Sequence, residues 1–253
     1  MRFRTRTLIF AALLFGAVNL FAQTNPPPVA KPGPALVPAM RATPTNWLSR
    51  HEGFVAQAKK GGVDILFLGD SITDNWRSRG SNVWDKYYAP RHAANFGIGG
   101  DRTQHVLWRI EHGELDGIHP KVVVLMIGTN NSNDDSPQDI AAAIKMIIDV
   151  IDEKIPKTKI LLLAIFPRGP HANPAGATDD GTKRMATIHA VNQIISHYDD
   201  GGKTVKYLDI GAKFLGEDGK LHTDVMSDLL YPTEKGYQIW ADAMEPTLDE
   251  MLK

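Results

Sequence analysis

Asp64-Ile-Leu-Phe-Leu-Gly-Asp-Ser-Ile-Thr73 is the stretch on which the fold turns. Ile65 to Leu68 is a short, unbroken apolar run, as in a strand covered on both faces, and it passes directly into Gly69-Asp70-Ser71. A hydroxyl is thereby placed at a strand end where a helix is about to begin. Outward from Asp64–Leu68, the same kind of run recurs at Ala93–Phe96, Val122–Ile127, Lys159–Ile165 and Val205–Leu208. Helical patterns separate these runs. Pro137–Lys154 places Ile140, Ile144, Ile147, Ile148 and Ile151 at helical spacing, with Ser136 as N-cap and Pro137 at the first helical position. Arg102–Glu111, Thr182–His197 and Thr233–Leu252 read as further helices, the last amphipathic. Alternating strands and helices predict an α/β protein, a three-layer α/β/α sandwich around a mostly parallel five-stranded sheet. In such sheets functional groups gather on loops beyond the carboxyl ends of the strands.

Before this domain, the basic segment Met1–Arg6, the apolar run Leu8–Phe21 and Ala22-Gln23 have the layout of a secretory signal peptide, with cleavage expected after Ala22. The expectation is an exported protein, periplasmic or secreted. The run is shorter than the roughly 20 residues of a membrane span, so no stable membrane insertion is expected once the leader is removed. Residues 23–44 are Pro- and Ala-rich with few large apolar side chains and read as a linker, leaving 45–253 as one domain. The chain of 253 residues has no cysteine, which excludes disulfides and thiolate metal sites. A formal net charge of −1 gives no electrostatic case for a nucleic-acid partner.

Three blocks carry chemistry. Gly69-Asp70-Ser71 offers a nucleophile, although Thr73 breaks the Gly-x-Ser-x-Gly elbow and Asp70 or Ser71 could simply cap the next helix. Asn95-Phe-Gly-Ile-Gly-Gly-Asp101 follows a strand and opens a helix, and its glycines permit backbone N–H groups to approach a bound oxygen. Arg102 stands where a dinucleotide fingerprint needs glycine, so an oxyanion hole built from the Ser71 and Gly100 amides fits better than a cofactor. Val122–Ile127 exits through Gly128-Thr-Asn-Asn131, where an amide could complete the hole or merely turn the chain.

With Asn95–Ile110, Gly113-Glu-Leu115, Ile127-Gly-Thr-Asn-Asn131 and Pro167-Arg168-Gly169 in this order, the chain resembles the GDSL/SGNH hydrolases. Within that family it is similar to the catalytic subunits of platelet-activating-factor acetylhydrolase Ib and their bacterial relatives. The resemblance implies a flavodoxin-like fold, Ser71 as nucleophile, and Ser71, Gly100 and Asn130 as the oxyanion hole. It also implies a small acyl-ester substrate, no metal or cofactor, and a homodimer. Asp70, Asp101 and His171 are the expected substrate-binding residues.

One departure stands out. The family's Asp-x-x-His pair falls on Asp228-Leu-Leu-Tyr231, so a tyrosine replaces the base that would take the serine proton. A phenol with a pKa near 10 is ionised only about once in 10³ molecules at neutral pH, roughly 4 kcal/mol of barrier. An oxyanion hole and positioning alone can retain about 10³ to 10⁴ of acceleration over water, so a slow esterase is expected. The competing expectation is a non-catalytic binding protein. His222 and His171 are the histidines that could substitute; His105 and His189 read as helix-surface or packing residues.

Overall fold

The computed structural model describes residues 32–42, 46–172, 178–179 and 181–253, with backbone alone at 171–172 and 178–179. The expected leader and the linker up to residue 31 lie outside the described residues. The strands are β1 (Ile65–Gly69), β2 (Ala93–Asn95), β3 (Val122–Met126), β4 (Lys159–Leu163), a short antiparallel pair β5 (His171–Ala172) and β6 (Thr178–Asp179), and β7 (Val205–Leu208). Five of them form one parallel sheet in the order β2-β1-β3-β4-β7. Helices α1 (Trp47–Lys60), α2 (Ser71–Asp74), α3 (Ser81–Tyr87), α4 (Thr103–Arg109), α5 (Pro137–Lys154), α6 (Thr182–Ile195) and α7 (Glu234–Met251) complete the α/β/α sandwich.

The unbroken apolar runs have a direct cause. Successive strand residues point to opposite faces. Leu66, Leu68, Val123 and Leu125 therefore enter a core shared with α1, α4, α5 and α6. Ile65, Phe67, Val122, Val124 and Met126 enter a second core shared with α2, α3 and α7. Phe67, Trp76, Trp84, Tyr88, Tyr237 and Trp240 pack together in that second core, edge-to-face or tilted except for the stacked pair Tyr237–Trp240. Strand order reverses beside β1, which is where sheets of this kind bind ligands, at the carboxyl ends of the strands.

Helix α5 has its expected bounds, and the Ser136 hydroxyl accepts the Asp139 N–H at 3.1 Å. Other ends differ for local reasons. Strand β4 stops at Leu163 because both backbone groups of Ile165 bond the Asn192 side chain of α6. Helix α4 ends at Arg109 and passes into a wide π-type turn, where Gly113, at φ 104°, turns the chain and the next side chain, Glu114, bonds Arg109. Helix α6 gives way to a 3-10 turn over Ser196–Tyr198. Helices α1 and α3 were not anticipated.

The expected linker also needs correction. Residues 32–42 lie on the domain: Ala35 is fully buried, its carbonyl accepts the Thr103 hydroxyl at 3.1 Å, and the Ala39 N–H donates to the Gln104 carbonyl at 3.1 Å. Among the described residues, no helix is long and apolar enough to cross a membrane.

Candidate active site

Ser71 is the first residue of α2 and is half-buried at the end of β1. Asp70 is the N-cap, its carboxylate accepting the Ile72 N–H at 2.9 Å. The capping expectation and the exposed-serine expectation are therefore compatible, since Asp70 caps and Ser71 stands free. The first amides of a helix lack intrahelical acceptors. Neither the Ser71 amide nor its hydroxyl meets a hydrogen-bond partner among the described residues.

The loop after β2 is clamped onto this turn. A Cβ on Gly97 would sit 2.4 Å from the Asp74 nitrogen, so only glycine allows the approach. Asn95 bridges the two segments, donating to the Thr73 carbonyl at 2.8 Å and accepting the Gly97 N–H at 2.8 Å. The Asp74 carboxylate accepts the Gly99 N–H at 3.1 Å, two bonds from Arg50 at 2.5 and 2.7 Å, and one from Arg77 at 2.6 Å. Burial alone would raise the Asp74 pKa, but the Arg50 and Arg77 guanidiniums hold it below the usual carboxylate range. Gly99 faces the serine, the position of a Cβ built on it lying 3.8 Å from Ser71 Cβ. Gly100 has φ 80°, a left-handed conformation natural to glycine, and its N–H meets no acceptor among the described residues.

The two asparagines after β3 have separate fates. Asn130 is half-buried and donates one amide hydrogen to the Asp101 carbonyl at 2.8 Å, leaving a second. Asn131 is fully buried; it accepts the Thr103 N–H at 3.0 Å and donates to Thr103, Gln104 and Asp135, which makes it a structural brace.

Beneath the loop, fully buried Arg109 bonds Asp101 at 2.9 Å, Glu114 at 2.5 Å and the Phe96 carbonyl at 3.0 Å. A lone charge there would cost several kcal/mol, so its two carboxylate partners are a condition of its burial. The second Asp101 oxygen accepts Trp47 Nε1 at 2.7 Å. Burial lifts the Asp101 pKa to about 6 against the pull of Arg109, and lifts Asp70 to about 7 with help from the Asp101 and Asp74 charges. Both carboxylates are buried: one Asp70 oxygen is held by the Ile72 N–H, and both Asp101 oxygens are held by Trp47 and Arg109. His105, lowered to about 4 by burial and neighbouring arginines, accepts the Arg102 N–H at 3.0 Å and belongs to the same scaffold.

The base side is built differently. Asp228 Oδ1 accepts the N–H groups of Leu230 at 3.2 Å and Tyr231 at 2.8 Å, so this oxygen orients backbone. Leu230 is buried; Leu229 is half-buried, in a left-handed conformation at φ 58°, its carbonyl accepting the Gly169 N–H at 2.7 Å. Tyr231 packs beside the second core, with Arg79 over its ring at 5.2 Å. His222 bonds Asp218 at 2.9 Å in an open cavity shared with Lys235 and Ile239. Those α7 residues flank a face roughly opposite Tyr237, whose hydroxyl donates to the Ile72 carbonyl at 2.6 Å, so His222 stands on the wrong side of α7 to serve Ser71. The side chain of His171 lies outside the described residues. His189 is exposed and borders a cavity with Arg168 and Leu229.

Several residues that shape this site were missed in the sequence: Arg41, Arg50, Asp74 and Arg109. Asp74, one turn after Ser71, was the readable signal, because an acid there invites a cation from another element.

Comparison with known proteins agrees with this geometry. Residues 67–239 match the model of the GDSL-like Lipase/Acylhydrolase family. Platelet-activating factor acetylhydrolase IB subunit alpha1 of Homo sapiens is 34% identical over 222 residues, covering 85% of this chain and 91% of that protein. Subunit alpha2 of Rattus norvegicus is 37% identical over 191 residues, covering 76% and 78%. Among solved structures, a GDSL-like lipase from Bacteroides thetaiotaomicron superposes with a TM-score of 0.61 at 19% identity, covering 80% of this chain and 97% of its own. An acetylxylan esterase from Geobacillus stearothermophilus superposes at 0.52 with 20% identity, covering 76% and 94%. A serine at the mouth of β1, amide donors from the next two loops and a family match across most of the domain lead to one conclusion: the chain belongs to the GDSL-like lipase/acylhydrolase family and is a carboxylic ester hydrolase.

Proposed function

We propose that the chain hydrolyses short-chain acyl esters, acetyl esters first, through an acyl-enzyme on Ser71. The observation that carries this is the set of unspent donors on the loops after β1, β2 and β3: the Ser71 and Gly100 amides lack partners among the described residues, and Asn130 keeps one amide hydrogen. Donors aimed at developing negative charge are worth most where no reorganisation is needed. Ser71 Oγ attacks the acyl carbon, and the three donors hold the oxyanion. The C–O bond to the alcohol breaks and the alcohol leaves with a proton; water then cleaves the acyl-serine, releasing the acid and restoring the hydroxyl. The serine proton passes to water, because the His of the family pair is Tyr231 and Asp228 spends one oxygen on backbone amides. Turnover is accordingly slow.

The acetylhydrolase names of the curated relatives support an acetyl group, and the N-terminal leader pattern supports export, where acetyl esters of carbohydrates or lipids are the substrates. Tyr231 motivates the alternative, a pocket that holds such an ester without turnover. Labelling by a fluorophosphonate decides between them: the protein is expected to label, and Ser71→Ala to lose the label. A folded protein that takes up no label is a binding protein.

A further inference from the structure

Arg41 enters the site from the segment upstream of the family match. Its Nη1 donates to the Gly99 carbonyl at 2.6 Å, and its Nη2 and Nη1 lie 3.2 and 3.1 Å from where a Cβ on Gly100 would stand. The Gly99 carbonyl and the Gly100 N–H belong to one peptide group, and that peptide bond is trans. A trans amide points its N–H opposite its carbonyl. Fixing the carbonyl on Arg41 therefore fixes the direction of the N–H.

This matters because the peptide lies between two glycines, which resist rotation least. The Gly99 N–H is held by Asp74, but on the following peptide the Arg41 bond is the sole hydrogen bond among the described residues. A charged donor on a carbonyl also polarises its amide and strengthens the N–H as a donor. Arg41 is held in turn by its own segment, through the Ala39 bond to Gln104 and buried Ala35.

We propose that Arg41 is a positioning residue of the oxyanion pocket: it locks and polarises the Gly99–Gly100 peptide so that the Gly100 N–H faces the charge formed on the ester carbonyl. The inference rests on the Ser71 reading above. It assigns catalytic weight to a segment whose composition reads as a tether.

Arg41→Ala and Arg41→Lys, compared with the parent full chain, provide the test, with p-nitrophenyl acetate kinetics, fluorophosphonate labelling and the Gly100 amide-proton resonance as readouts. In Arg41→Ala, kcat is expected to fall about 10-fold at unchanged KM, since the lost donor strength acts on the transition state. The Gly100 resonance moves upfield, and Arg41→Lys recovers part of both effects. If labelling persists while kcat or the Gly100 resonance stays at the parent value in Arg41→Ala, the Arg41 inference is overturned and the Ser71 reading stands. A lowered melting temperature with parental kcat has the same meaning. Absence of labelling in the parent overturns both.

Discussion

The two halves of the site are held by different means. On the amide side, Asn95, Asp74, Arg50, Arg77 and Arg109 tie the β1 and β2 loops together; Asn95 and Arg109 are buried, Asp74 and Arg50 half-buried, and all but Asn95 carry charge. On the base side, the Asp228–Tyr231 turn is held by backbone amides on one carboxylate oxygen and by the Gly169 bond to Leu229. The first half clamps the loop that carries Gly100 onto the serine turn through the ion pairs of Asp74. The second fixes the path of the chain through amides that any side chain at position 231 would keep. Electrostatic stabilisation of the intermediate and proton removal from the nucleophile are thus separable in this molecule.

Three measurements break or sharpen that contrast. The largest effect is expected for Asn130→Ala, which removes a donor from the rigid half: p-nitrophenyl acetate hydrolysis should fall about 10²- to 10³-fold, as for a lost oxyanion-hole donor. A loss below threefold would mean that the carboxamide does not face the reacting carbonyl. Next comes Tyr231→His in the permissive half, where regaining a general base should raise the rate at least about 10²-fold. Equal rates would place the base elsewhere and end the separation.

The smallest effect concerns pH and Asp70. Burial lifts its pKa from 3.8 to about 7, so the folded state binds this proton more tightly than the unfolded chain. Its stabilising contribution is complete below the ordinary value and drains away as pH rises towards 7. Asp101, raised to about 6, acts in the same direction; His105, lowered to about 4, acts oppositely, losing stability as pH falls below its ordinary 6.5. Asp70→Asn removes the first contribution alone, so its melting temperature should fall less than the parent's between about pH 4 and pH 8. Parallel melting profiles would show that Asp70 does not titrate in this window.

Much of the sandwich was legible because its strands are apolar on both faces and each chemical block follows one of them. Ser71, Gly100 and Asn130 could be placed at strand ends for that reason. Depth was not legible: Asp70 and Asp101 read as substrate contacts, yet aspartate spelling does not reveal that Ile72, Trp47 and Arg109 already occupy their oxygens. Helix α1 was less legible, because Gly53 interrupts the helical spacing of Trp47, His51, Phe54 and Ala58. Arg41 was hidden by composition, since a Pro/Ala segment can also lie flat on a surface and deliver one long side chain. Tyr231, by contrast, was visible at once as a departure from a spaced pair.

The hydrogen bonds from Leu230 and Tyr231 to Asp228 carry a consequence for how such a protein can change. A loop whose path is set by two main-chain amides on one carboxylate oxygen is a socket, and exchanging the ring plugged into position 231 leaves those bonds in place. Reactivity there can be gained or lost by one replacement while the rest of the chain remains as it was, which makes turnover the most easily adjusted property of this molecule.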